Sequence, residues 1–375
     1  MKRIYDVIVI GGGVIGSTIA WQLAKTKRSV LLLERGQLGQ EASSAAAGML
    51  GAELEIDRAG AFFQLCLESR SMYPAFSDEL IEQTGIDIEL THNGILRVAM
   101  SEEQAIHLQQ TADWQRAAGG SATFLSADDM MNQEPALAKT SGGLLLPKDG
   151  NVNATLVARA VGKAASLTAD VLEGAEVYDI HSSSDEVTVR TATSCFVAEQ
   201  VVVANGAFAN QFLPALHMQP TLIPIKGQLL RILPVGRSKL TRTISQGHHY
   251  FVPKRDGSII VGATEEQALY SHTNTVAGVA QLLQAIQETL PGLEQATFVS
   301  AWTGLRPALP SKEPLIGPTA MSSRVLLAVG HYRNGILLAP VTASMMTAIL
   351  DENPQPMWRE SFLPARSLMS EESLI

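Results

Sequence analysis

Apolar residues follow two patterns along this chain, and the switch between them predicts its layout. Residues 5–10 (YDVIVI), 29–33 (SVLLL), 200–204 (QVVVA) and 324–329 are apolar runs without alternation, as strands buried on both faces of a parallel sheet require. Residues 14–24 put Ile15, Ile19 and Leu23 at four-residue spacing on one helical face. With the strands on either side they predict a strand–helix–strand unit at the start of the chain. Further helices are predicted around 62–84, 101–118, 151–165, 276–290 and 335–350. Short strands are predicted at 94–100, as a meander over 171–180 and 186–191, and across 221–262. There, Lys254, Arg255, Asp256 and Gly257 form a hairpin turn between 250–253 and 258–262, since Asp-Gly tolerates positive φ. Buried strands therefore open the chain and recur near residues 200 and 325, with hairpin-rich stretches between them. The fold class is α/β with two domains. A doubly wound domain is assembled from residues 1–85, 150–220 and 303–375, and an antiparallel-sheet domain is inserted in it as 86–149 and 221–302.

Composition narrows the function classes. Of 375 residues, 46% are apolar, too many for a disordered polymer. The net charge of −9 disfavours nucleic acid as a partner. Cys66 and Cys195 allow one disulfide at most and no four-ligand zinc site, so a reducing cytoplasm is expected. The uncharged run 7–24 is 18 residues long, the length of a signal peptide or short membrane span. It is interrupted by Gly11, Gly12, Gly13 and Gly16, which suit a phosphate-touching turn better than an apolar helix. A soluble protein with no membrane partner is expected.

The same glycines carry the first candidate chemistry. Gly11, Gly13 and Gly16 fit G-x-G-x-x-G between a predicted strand and a predicted helix, and Glu34 ends the next strand 18 residues after Gly16. In that context the pattern marks a Rossmann-type dinucleotide site. Gly11 permits the tight turn, Gly13 lets backbone approach a pyrophosphate, and Gly16 lets the helix pack against the strand. The helix N-terminus offers unpaired N–H groups to the phosphates, while Glu34 suits ribose hydroxyls and repels a 2′-phosphate. This fingerprint alone does not separate FAD from NAD. Arg35 and the small residues over 43–49, which follow the second strand, suit a bulky extended cofactor, whereas an NAD domain would more often continue into another strand–helix repeat.

Five segments spread over nearly the whole chain carry a family resemblance: the N-terminal fingerprint, SAAAGMLG at 44–51, PIKGQ at 224–228, WTGLRP at 302–307 and GHYRNGILLAP at 330–340. Together they resemble the D-amino-acid oxidase/sarcosine oxidase family of FAD enzymes, most of all its glycine-oxidising bacterial branch. The resemblance implies FAD contacts at Val14, Ile15, Glu34, Arg35, Ala42 and Ser43, and again at Ala47, Gly48 and Met49. It implies a backbone contact to adenine at Val177. Along the ribityl chain and isoalloxazine it implies His331, Tyr332, Arg333, Asn334, Gly335, Ile336 and Leu337. No cysteine follows Cys195, so no thioether can reach the flavin from the C-terminal half, and noncovalent FAD is expected.

For the substrate, the resemblance assigns Arg306 and Arg333, with Tyr250 beside them. A guanidinium fork matches a carboxylate in two parallel bonds. The competing reading of each arginine is a structural ion pair. No protein nucleophile or obligatory acid–base residue is expected, because flavin carries the chemistry. The implied reaction is oxidative deamination of glycine, sarcosine and small D-amino acids by hydride transfer to flavin N5. It yields glyoxylate, ammonia or methylamine, and hydrogen peroxide from molecular oxygen, with thiamine thiazole synthesis as the implied outlet and a homotetramer as the implied assembly. His248, His249 and His331 make no metal motif and read as structural histidines, and no metal is expected. Lys226 reads as solvated, with a place near reduced flavin as the alternative. Glu265 and Glu266, after the hairpin, either border the pocket and favour cationic amines or face solvent. Three other functions remain open: a quinone-linked dehydrogenase for sarcosine, proline or D-amino acids, a noncatalytic redox-sensing dinucleotide module, and the oxidative domain of a tRNA-modifying enzyme.

Overall fold

The computed structural model describes residues 4–216, 222–235, 239–267 and 270–364. Met1 to Arg3 and Thr221, the start of the predicted β-rich stretch, lie outside the described residues.

At the centre of the first sheet, strand Ile4–Ile10 lies between Val30–Leu33 and Cys195–Val203, parallel to both. Asp170–Leu172 extends the sheet in parallel on one side and Val325–Val329 on the other, where antiparallel Leu315–Pro318 forms the edge. The absence of alternation now has its cause. Val7 and Val9 pack under the helices, in a core with Ile19, Trp21, Phe63, Tyr73 and Met346. Ile8 and Ile10 point the other way, toward Val187, Val189 and Phe212. Both faces are covered, as side chains alternating across a strand demand of a sheet inside the molecule. Truncating a residue such as Ile19 there would cost about 2–5 kcal/mol.

The helices Val14–Lys25, Ala61–Thr84, Ala154–Thr168 and Gly335–Leu350 fall within a few residues of their predicted positions. The expected meander over 171–180 and 186–191 is present except for its start. Asp170–Leu172 joins the parallel sheet, the chain turns at Gly174, and Val177–Ser182 pairs with Val187–Thr191 as a hairpin.

The second sheet has nine strands, with Ile223–Leu233 hydrogen-bonded along much of its length to Thr297–Ala308. Its pairings are antiparallel except that Thr243–Gln246 runs parallel to Ile95–Ala99. The predicted hairpin is present as His249–Pro253 and Ile259–Gly262, closed by hydrogen bonds between Lys254 and Ser258 and from Gly257 to Lys254. The boundary drawn between 302 and 303 falls inside strand Thr297–Ala308. That strand stays paired with Ile223–Leu233 as far as Ala308 and brings residues 304–307 to the cleft. No helix among the described residues is long and apolar enough to cross a membrane.

Candidate active site

A single cleft runs along the C-terminal ends of the parallel strands Ile4–Ile10, Val30–Leu33, Cys195–Val203 and Val325–Val329, and continues to the second sheet. Such strand ends are where open α/β sheets bind ligands. At the first strand's end, Gly11 has φ +104°, and a Cβ there would stand 2.6 Å from the Asn205 backbone. At Gly16 a Cβ would meet the Gly11 carbonyl oxygen at 1.8 Å, so this glycine is required by the packing of helix on turn. Gly13 differs: a Cβ there would approach only Ser43 Oγ, at 3.3 Å. The protein itself leaves that position open, as a ligand's close approach would require.

Both Glu34 oxygens are fixed by backbone, Oε2 by Gly12 N–H at 2.7 Å and Oε1 by Gly36 N–H at 2.8 Å. The carboxylate is thereby held at the cleft wall. Ser43 Oγ accepts from Val14 N–H at 2.9 Å and lies beside the helix start. Arg35 covers the Phe208 ring at 3.5 Å, and Phe208 in turn stacks on Tyr270. The buried Asn205 Oδ1, also on the cleft wall, has no hydrogen-bond donor among the described residues.

The opposite wall comes from the C-terminal segment. His331 is buried, with Nε2 3.0 Å from Thr342 Oγ1, and burial pulls its pKa down to about 3. It is a neutral structural histidine. Tyr332 adopts φ +46°, with its N–H donating to Pro307 O at 3.0 Å. Asn334 leads into helix Gly335–Leu350, whose N-terminus has no side-chain cap and faces the cleft. An uncapped helix start offers N–H groups and partial positive charge to an electron-rich ligand. Pro340 lies inside that helix and cannot donate to Ile336 O, four residues back. The Tyr73 hydroxyl donates to that carbonyl instead, and Ser69 Oγ donates to Leu337 O at 2.6 Å. Helix Ala61–Thr84 thus staples the first turn of the helix that faces the cleft.

The two arginines differ in their partners. Arg333, held above its usual pKa by Glu55, makes a two-point pair with it, Nε to Oε2 at 2.7 Å and Nη2 to Oε1 at 3.0 Å. Arg306 Nη1 donates to Thr264 O at 3.1 Å, and no carboxylate among the described residues lies in ion-pair range. Its guanidinium lies over Gly227, where a Cβ would strike Nη2 at 2.4 Å. Tyr250 is buried beside the same wall, its ring covering Gly262.

Of the residues assigned to cofactor or substrate, two do not line the cleft. Gly16 serves packing, as its place in the motif predicts. Leu337, implied as a cofactor contact, is buried in the helix-side core because it sits one turn into the helix. Lys226 is neither solvated nor on the cleft wall: it is 3% exposed and pairs with Glu266 at 2.9 Å, because the segment after the hairpin covers its strand. His248 lies in the turn before strand His249–Pro253. Three residues escaped the sequence reading. Glu55 sits in a non-periodic stretch, and Asn205 and Phe208 follow a buried strand, where the strand-end rule could have found them. Lys254, read only as a turn residue, is a half-buried clasp: its ammonium donates to Ala47 O at 2.7 Å, Val152 O at 2.9 Å and Asn151 Oδ1 at 3.2 Å, and desolvation pulls its pKa down to about 7.

The open face of Gly13, the unpartnered Asn205 oxygen, the uncapped helix start and a cleft reaching from Glu34 to the 330–336 loop fit an extended flavin dinucleotide. Residues 6–349 match the family described as FAD dependent oxidoreductase. The chain is 37% identical to a glycine oxidase of Bacillus licheniformis over 98% of both chains. It is 35% identical to a bifunctional protein ThiO/ThiG of Trichormus variabilis, covering 94% of this chain and 54% of that one. The crystal structure of glycine oxidase from Geobacillus kaustophilus superposes with a TM-score of 0.94 at 34% identity, covering 98% of this chain and 99% of the other.

Proposed function

Because the chain belongs to the family of FAD-dependent oxidoreductases, we propose that it oxidises glycine, and with it sarcosine and small D-amino acids. Glycine, oxygen and water would give glyoxylate, ammonia and hydrogen peroxide. Likeness to glycine oxidases over nearly the full length supports the substrate class. The observation that carries the reading is Arg306, a cleft-wall guanidinium with one backbone partner and its remaining donors available to a substrate carboxylate.

When bound, FAD supplies the two-electron acceptor for the amine carbon and returns the electrons to oxygen. The protein's part is orientation. Arg306 grips the carboxylate, Thr264 O fixes the rotamer of Arg306, and Tyr250 walls the pocket beside it. Holding the donor carbon in contact distance of its acceptor is worth several kcal/mol of barrier. Arg333 is a positioning residue in this reading, its charge balanced by Glu55 while its backbone belongs to the loop that borders the cofactor. At the other end, the turn from Gly11 to Gly13 and the helix start at Val14 receive the pyrophosphate, and Glu34 receives the ribose. Val177 lines the cleft at this end, which agrees with the adenine contact assigned to it.

Delivery of the glycine imine to thiazole synthesis, a homotetramer and a cytoplasmic setting belong to the same reading. Likeness to the ThiO/ThiG protein supports the first. The division into a cofactor domain and an inserted substrate domain follows the two sheets. Glycine-dependent peroxide release under air tests the oxidase reading. Electron transfer to a quinone without peroxide would instead make the chain a dehydrogenase.

A further inference from the structure

We infer that Glu265 sets the charge selectivity of the substrate mouth, turning away amines that carry a second negative charge. The inference rests on the reading above, in which Arg306 takes the substrate carboxylate.

Segment 263–266 leaves the hairpin strand Ile259–Gly262 and passes directly over both arginines. Thr264 gives its carbonyl to Arg306 Nη1 at 3.1 Å. Glu265, the next residue, places Oε2 3.8 Å from Arg333 Nη1, on the side of the Tyr332 hydroxyl. Arg333 already has Glu55 on its other edge, in two short contacts. Glu266 does not contribute, because Lys226 at 2.9 Å and the Gln228 and Thr264 side chains absorb its charge. The mouth thus holds two guanidiniums, Arg306 and Arg333, against two carboxylates, Glu55 and Glu265, and 2 − 2 leaves no net charge.

That balance has a consequence for ligands. A monocarboxylate on Arg306 turns the local sum negative, so a second carboxylate meets repulsion with no guanidinium left to take it. Burial acts to raise the Glu265 pKa, but the Tyr332 hydroxyl, Arg333 and Arg306 outweigh it and keep the group ionised. Without that charge, the outer edge of Arg333 would be open to a ligand's second acid group. Glu265 therefore favours net-neutral amino acids, and amines with a cationic tail, over dicarboxylates.

Glu265→Gln tests the charge apart from the structure, since the amide keeps the size and shape of the side chain. With FAD-loaded protein, the dissociation constants of acetate and malonate are read from the visible flavin spectrum, and kcat/KM is compared for D-alanine and D-aspartate. In Glu265→Gln, both ratios are expected to move about tenfold toward the dicarboxylate, with a smaller shift at high salt. Glu265→Asp should stay close to the wild type. Ratios in Glu265→Gln within threefold of wild type would overturn the inference and leave Glu265 as a mere partner of Tyr332. Acetate binding by Arg306→Ala judges the underlying reading separately: unweakened binding there would sink that reading, whereas the malonate-to-acetate ratio speaks to Glu265 alone.

Discussion

Arg333 and Glu55, 278 residues apart in sequence, face each other in a two-point ion pair. It occupies the fork of one of the two arginines assigned to the substrate and leaves Arg306 as the one of them without a carboxylate. The pair sorts two residues of the same type into two roles. Glu55 is itself held by a buried frame: Arg70 bridges Glu53 and Asp149, and Asp149 accepts from the Glu53 and Leu54 backbone.

The glycines of the turn separate folding from cofactor binding. Gly16→Ala forces a Cβ to within 1.8 Å of a backbone oxygen, so the helix must move and the protein should lose stability. Gly13→Ala meets only Ser43 Oγ at 3.3 Å, and Gly13 has an ordinary φ of −71°. It should fold with a wild-type circular dichroism spectrum yet be purified with little or no flavin. A fully flavinylated Gly13→Ala protein would contradict the close approach assigned to that residue.

Tyr73 and Pro340 should be coupled. Tyr73→Phe leaves the buried Ile336 carbonyl without a donor, at a cost of about 1–3 kcal/mol. In a Pro340→Ala background the new N–H can serve that carbonyl within the helix, and the same substitution should cost much less. A double-mutant cycle in denaturant measures the difference, and additive effects would show that the proline is not the reason for the tyrosine.

His331 should make the protein acid-labile. Its folded pKa, lowered by burial to about 3, lies below the ordinary 6.5. Between those values the unfolded chain binds the extra proton, so the stability present above pH 6.5 falls as pH drops toward 3. The full effect is roughly 5 kcal/mol at most. His331→Asn, which keeps a polar group toward Thr342, should flatten the dependence of Tm on pH across that window. An unchanged slope would place the acid sensitivity elsewhere.

The parallel core is legible in the sequence because strands at 5–10, 29–33 and 200–204 have no polar face to disguise them. The glycine turn is legible because its spacing is local. What escapes is whatever depends on pairing across the chain. Glu55 has no periodic neighbourhood and finds its partner only when the last helix docks. Lys226 and Lys254 look like surface lysines until the segments that cover them are in place.

The central claim is that Arg306 grips a small amino acid's carboxylate beside bound FAD. Anaerobic titration of the purified, flavin-loaded protein with glycine, wild type against Arg306→Ala, tests it most directly. The wild type should bleach, and the variant should need a glycine concentration higher by a factor corresponding to about 2–5 kcal/mol. Equal bleaching of both proteins at the same glycine concentration, or none in the wild type, would contradict it.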